Sequence, residues 1–191
     1  MRRVIAIAAP VGGGKSSLAA ALARALDDAP VLRFDDFQRA TRQSVETLDA
    51  WLAQGADFDL LEAPGLAARL EQLRRSEGQD GWVVFEMPLG RAWRATAAAI
   101  DLLVWLEVPA DIALARKLRE LAAAASAAPA HSARDALRWI DDYLAHYTAT
   151  IHRVLAMQRT RVPAAADVVL DGSADTPTLL REVLHHMGMP A

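Results

Sequence analysis

Cysteine is absent from the 191 residues, so neither a disulfide nor a thiolate-held metal contributes to the fold. That absence suits a reducing compartment. Lysine is almost absent as well: of 21 Lys and Arg residues, only Lys15 and Lys117 are lysines. A chain that otherwise chooses arginine keeps a compact ammonium at position 15, which makes that position informative. A surplus of positive charge is also missing, with a net charge of −3 and a pI near 5.9. No broad electrostatic footprint for a nucleic acid follows, and any cationic cluster must be local and aimed at a small anion. No apolar run is long enough to span a bilayer. The opening "MRRVIAIAAP" is basic and then apolar, like a signal peptide, but its apolar run is short and breaks into a glycine-rich turn. It is read as a buried strand, and the protein is expected to be cytoplasmic, with neither a nucleic acid nor a membrane as partner.

With 53% hydrophobic and 24% charged residues, the composition is that of a globular chain, and its length suits one domain covering residues 1–191. Residues 4–8 are a β-branched, non-alternating apolar run, the pattern of a strand buried on both faces. "PVLRF" (30–34), "WVVFEMP" (82–88), "DLLVWLEVP" (101–109) and "ADVVLDG" (166–172) are further predicted strands. Helices are predicted between them. Residues 16–26 carry Leu18, Leu22 and Leu26 at helical spacing, and residues 41–53 carry Val45, Leu48 and Leu52 on one face. Pro64 opens a helix with Leu66, Leu70 and Leu73 inward and Gly78 beyond its end. Residues 111–125 and 176–187 are also predicted helical. A long helix over 132–159 has Ser132 and Asp135 at capping-box spacing and an inner face of Leu137, Ile140, Leu144, Tyr147, Ile151 and Leu155. "AAAASAAPA" (122–130), ending near Pro129, reads as a low-complexity, mobile connection. Strands alternating with helices imply parallel strands, right-handed crossovers and a three-layer α/β fold.

"APVGGGKS" from Ala9 to Ser16 fits G-x-x-x-x-G-K-[ST], except that Ala9 stands at the first glycine. Glycines let successive backbone N–H groups curl around phosphate oxygens, and the following helix adds its positive end. Gly12, Gly13, Gly14, Lys15, Ser16 and Ser17 therefore form a candidate phosphate cradle, with Lys15 on the β- and γ-phosphates and the Ser16 hydroxyl on Mg²⁺. A guanine-reading N-K-x-D segment is missing, which argues against a GTPase. The third strand ends in a single acid, Glu86, where a motor ATPase would carry Asp-Glu at the end of a longer chain. A small-molecule or nucleotide kinase remains.

The cradle, "FDDF" after the second strand, the arginine-bearing helix after the fourth, and "ADVVLDGSAD" near the end resemble the uridine kinase and nicotinamide riboside kinase group. That group lies within the P-loop kinases of the phosphoribulokinase/uridine kinase type. The resemblance implies the P-loop NTPase fold with a five-stranded parallel sheet in the order 2-3-1-4-5, and Mg·ATP as phosphoryl donor. It implies that Asp35 receives the acceptor hydroxyl's proton. Asp36 either caps the next helix or binds substrate. It also implies a lid over about residues 117–134, with Arg116 near its hinge closing over the transferring phosphate and Arg119 or Lys117 as an alternative. Gly172, Ser173 and Asp175 would then contact the adenine edge.

Glu86 is expected to hold magnesium directly or through water, or to bind substrate hydroxyls, or else to be a strand-end acid facing solvent or pairing with Arg91. Arg91 and Arg94, flanking Trp93, are candidates for the acceptor pocket, with Trp51, Phe37 and Trp93 offered for stacking on an aromatic substrate. Trp51 is alternatively a core residue. His185 and His186 read as surface residues, because adjacent helical residues point to different sides. The expected enzyme is a monomer or homodimer that phosphorylates a hydroxyl of a small metabolite. The rivals are a nucleoside monophosphate kinase, with Arg39, Arg42, Arg91 and Arg94 on the acceptor phosphate, and an ATP-binding regulatory module with no acceptor of its own.

Overall fold

The computed structural model describes residues 1–39, 45–76, 81–127 and 130–189. The start of the predicted 41–53 helix, Arg42, Gly78 and Pro129 lie outside the described residues. Five strands, β1 (Arg3–Ala8), β2 (Val31–Arg33), β3 (Trp82–Glu86), β4 (Leu102–Glu107) and β5 (Val168–Asp171), form one parallel sheet in the order β2-β3-β1-β4-β5. This is the order the resemblance implies.

The apolar runs do not alternate because both faces of the sheet are covered. Val4, Ala6 and Ala8 of β1 join Phe85, Leu103 and Trp105 on one face, under Trp51, Phe58 and Leu70. Ile5 and Ile7 join Val84, Val104 and Leu106 on the other, under Leu18, Leu22 and Val183. These covering side chains come from α1 (Lys15–Ala25), α2 (Val45–Ala53), the 3₁₀ turn Phe58–Leu60, α3 (Leu66–Arg75) and α8 (Thr176–His186), and these helices together with the sheet make the three layers. Leu66, Leu70 and Leu73 are inward on α3, as their spacing predicts.

Two expectations on the C-terminal half are corrected. The alanine-rich run is not a connection through residue 127: it completes α5 (Ala110–Ala127), alanine being the strongest helix former. The described residues of the expected lid therefore fall in α5 and in α6 (Ala130–His146), which pack on each other. α6 begins two residues before Ser132, so Ser132 is not its N-cap.

The predicted long helix is also interrupted. A π-helical turn at Tyr147–Ile151 separates α6 from α7 (His152–Arg161). Its wider i→i+5 geometry inserts a residue and rotates the inward face. Thr150 and Gln158 are buried on the inside, whereas Leu137 and Leu144 are 62% and 41% exposed. Ile140, Tyr147, Ile151 and Leu155 are half-buried. Among the described residues, no helix is long and apolar enough to cross a membrane.

Candidate active site

β1 ends at Ala8, beneath the turn that leads into α1. Gly12 and Gly14 have φ of +75° and +87°, a left-handed backbone that glycine adopts without the Cβ penalty. A Cβ on Gly12 would also lie 2.0 Å from the Ala113 carbonyl oxygen of α5, so the cradle and the first turns of α5 touch backbone to backbone. Ala9 is accommodated by the same logic. A Cβ at Gly13 would stand 2.7 Å from the Ala9 methyl, so the bare Gly13 leaves that methyl its space.

Lys15 is buried, and its Nζ donates to the Pro10 carbonyl at 3.2 Å. Burial pushes its pKa below the ordinary value, partly offset by the Glu86 and Asp35 carboxylates and reinforced by Lys117. The two lysines of the chain thus act on each other across this site. Lys117 forms an ion pair with Glu120 at 2.9 Å. A pocket of 450 Å³ opens over Gly12, Gly14, Lys15, Ser16 and Ser17, with Arg116 and Glu120 on its far wall.

The Ser16 hydroxyl donates to Glu86 Oε1 at 2.6 Å. Glu86 is buried, and among the described residues its Oε2 accepts no hydrogen bond. Its ion-pair partner is Arg33, opposite it in the sheet register, whose Nε comes to 3.5 Å of Oε2. The alternative pairing of Glu86 with Arg91 is not made. Asp35 and Asp36 lie in the 3₁₀ turn after β2, both exposed, and Asp35 is within electrostatic reach of Lys15. Phe37 packs half-buried against the core beside them.

Arg116 lines the pocket, while its two terminal nitrogens donate to the carbonyls of Gly172 at 2.7 Å and Ser173 at 3.1 Å. It thereby ties α5 to the loop after β5. Gly172 is required there by close approach, since a Cβ would lie 2.4 Å from Val108 Cγ2. Ser173 closes a local turn by donating its N–H to Asp171 Oδ1 at 2.9 Å. Arg119 is exposed on α5.

Three expected site residues have structural duties instead. The Trp51 indole is 8% exposed in the core beside Phe58, with its N–H donated to the Asp57 carbonyl at 2.9 Å, so no face is free for a ring. Asp175 caps α8, accepting from the Thr178 N–H at 2.9 Å. Hydrogen bonding with Thr178 lowers its carboxyl pKa. Arg91 reaches the opposite end of the sheet's strands, where its nitrogens donate to the Ala165 and Ile100 carbonyls at 2.8 and 3.1 Å and pair with Asp167 at 2.8 Å. Ile100 and Asp167 precede β4 and β5, whereas the cradle follows the C-terminal end of β1. Arg91→Ala should accordingly cost about 1–2 kcal/mol of stability in denaturant titration and leave the acceptor KM unchanged.

Sequence reasoning misses Arg33, Glu120 and Gln158. Glu120 carries one signal, its i,i+3 spacing from Lys117. Arg33 and Gln158 enter through contacts across the sheet and from α7, which no local pattern announces.

The sequence matches no protein-family model and no curated protein. Solved structures do match. Shikimate kinase from Aquifex aeolicus aligns over 98% of this chain and 96% of its own, at 16% identity and a TM-score of 0.52. A gluconokinase from Sinorhizobium meliloti covers 97% and 91%, at 18% identity and 0.50. A sugar kinase from Janibacter sp. covers 99% and 96%, at 16% identity and 0.51. The chain has the fold of the P-loop kinases. At these identities the likeness is one of architecture, and the chemistry has to be argued from the P-loop itself.

Proposed function

We propose that the chain is an ATP-dependent kinase, one domain with a lid built from α5 and α6, which transfers the γ-phosphate of Mg·ATP to a hydroxyl of a nucleoside-like or other small polar metabolite. It would be closest in kind to the uridine kinase and nicotinamide riboside kinase group. The observation that carries this reading is the Ser16–Glu86 contact. A buried carboxylate with one oxygen on the cradle hydroxyl and the other without a hydrogen bond suits a hydrated divalent cation. The donor set is hard oxygen, as Mg²⁺ requires, and the nucleotide's own phosphates would complete it. When bound, the ion would neutralise charge developing on the β- and γ-oxygens.

The chain's own residues do the remainder. The backbone amides of Gly12–Ser17 grip the phosphates, and Lys15 stabilises the negative charge developing in transfer. The Lys15 ammonium is buried at a cost in the empty protein, and a polyphosphate relieves that cost. Asp35 orients the acceptor hydroxyl and receives its proton, with Asp36 and Phe37 beside it on the acceptor side. Arg116 tethers α5 to the Gly172–Ser173 turn on the expected adenine side, and is placed to serve the phosphates if α5 and α6 close. Closure would exclude water and keep idle hydrolysis slow.

A hydroxyl acceptor is favoured over a phosphate acceptor because the arginines available for a phosphate are already engaged. Arg39 pairs with Glu62 at 3.7 Å, Arg94 pairs with Asp59, and Arg91 is held at the N-terminal end of β4 and β5. Arg42 lies outside the described residues. A panel of nucleosides, sugars and polyols set against nucleoside monophosphates, followed by ADP release, tests the choice. Turnover confined to monophosphates would move the assignment to the rival, and tight Mg·ATP binding without phosphoryl transfer to any member of either class would favour the regulatory module.

A further inference from the structure

A single buried carboxamide joins the two loops from which this reading draws its phosphate and metal ligands. Gln158 of α7 is 5% exposed. Its Nε2 donates to the Ala9 carbonyl at 3.1 Å and to the Pro88 carbonyl at 2.6 Å. Ala9 opens the cradle, and Pro88 stands two residues beyond Glu86. We propose that Gln158 is a positioning residue that sets the separation of the cradle from the loop following Glu86 and clamps both to α7.

The chemistry of the position supports a directional role. A side chain that only filled space here would be leucine or methionine, because an amide is costly to bury unless its groups are paired. Gln158 spends both amide hydrogens on backbone oxygens of two loops that are far apart in sequence. α7 is itself held in place. Arg159 donates to Glu107 Oε1 at 2.5 Å at the end of β4, and Thr150 in the π-helical turn donates to Asp49 Oδ1 at 2.8 Å on α2. The carboxamide therefore acts from a fixed base. The same helical arm carries Tyr143 and Tyr147, which wall a small apolar pocket against Pro10 and Val11 of the cradle. A shift of that arm would reach the cradle through Gln158.

The consequence for nucleotide binding rests on the kinase reading, whereas the clamp itself does not, so the test has two arms. Gln158→Met keeps the side-chain volume and loses the donors, and Gln158→Glu replaces the donors with a carboxylate facing two carbonyl oxygens. Amide hydrogen exchange is measured on the full nucleotide-free chain, and Mg·ADP binding is measured by calorimetry. In Gln158→Met, exchange should rise about tenfold in peptides covering residues 9–17 and 86–90, stay at the wild-type rate over β5 and α8, and Mg·ADP should bind about tenfold more weakly. Gln158→Glu should show the same local loosening near pH 8 and regain protection, relative to wild type, near about pH 5.5, where a protonated carboxyl again supplies one donor. A lost packing contact would not recover with pH. Wild-type exchange at both loops in both variants would overturn the clamp, as would loosening spread equally over β5 and α8. A wild-type chain that fails to bind Mg·ADP would count against the kinase reading, and the exchange arm would still decide on Gln158.

Discussion

Replacing Lys15 with methionine should abolish the thermal stabilisation that Mg·ATP gives the protein and lower any phosphoryl transfer by about 10²- to 10³-fold or more. Nucleotide at a hundredfold excess over its Kd should raise wild-type stability by about 2.7 kcal/mol, which a thermal shift resolves easily. The same substitution should leave the empty protein no less stable than wild type. Burial holds the Lys15 pKa below its ordinary 10.5, so carrying the ammonium into the fold costs free energy wherever the unfolded chain is protonated there. For a depressed amine that cost is full below the folded pKa and vanishes as pH rises to the unfolded value. Methionine removes the cost and keeps the apolar stem. The expected pattern is thus a loss of function without a loss of stability, measured by differential scanning fluorimetry with and without Mg·ATP. Retained nucleotide stabilisation in Lys15→Met would remove the cradle from the account.

The second large effect is expected at Asp35. Asp35→Asn should bind Mg·ATP as the wild type does and lose transfer by about 10²- to 10⁴-fold, the range of one positioned general base. The side chain is exposed at the end of the edge strand β2 and makes no contribution to the core, so a folding defect is not expected. The decisive readout is the split: unchanged nucleotide Kd with collapsed kcat. An active Asp35→Asn would transfer the role to Asp36, next to it in the same 3₁₀ turn, or to Glu86.

The sheet was legible because its signal is local. Each of the five strands is a short apolar run bounded by turn residues, and burial on both faces removes alternation in a recognisable way. The cradle was legible for the same reason, with its residues contiguous between β1 and α1. Glu86 could be singled out as an acid closing an apolar strand, but its partner could not. Arg33 meets it only through the β2–β3 register, which nothing in "PVLRF" reveals. Local patterns mislead where tertiary contacts override them. The heptad-like spacing of Leu137 and Leu144 points inward on a regular helix, and the π-helical turn delivers Thr150 and Gln158 to the interior instead. Trp51 and Arg91 look like ligand-binding residues by type, yet the indole N–H finds its partner in the Asp57 carbonyl and the guanidinium in two backbone carbonyls and the Asp167 carboxylate. A polar group satisfied by the fold is not available to a substrate, and only the structure shows which groups are satisfied.

The central claim is that the γ-phosphate leaves ATP for a hydroxyl. It is tested most directly by incubating the protein with γ-³²P-labelled ATP and Mg²⁺ in a pool of small hydroxyl compounds and following where the label goes. The account predicts label in an acid-stable phosphate monoester of one pool member, absent with Lys15→Met. Label recovered only as inorganic phosphate, or only on a nucleoside monophosphate added alongside, would contradict it.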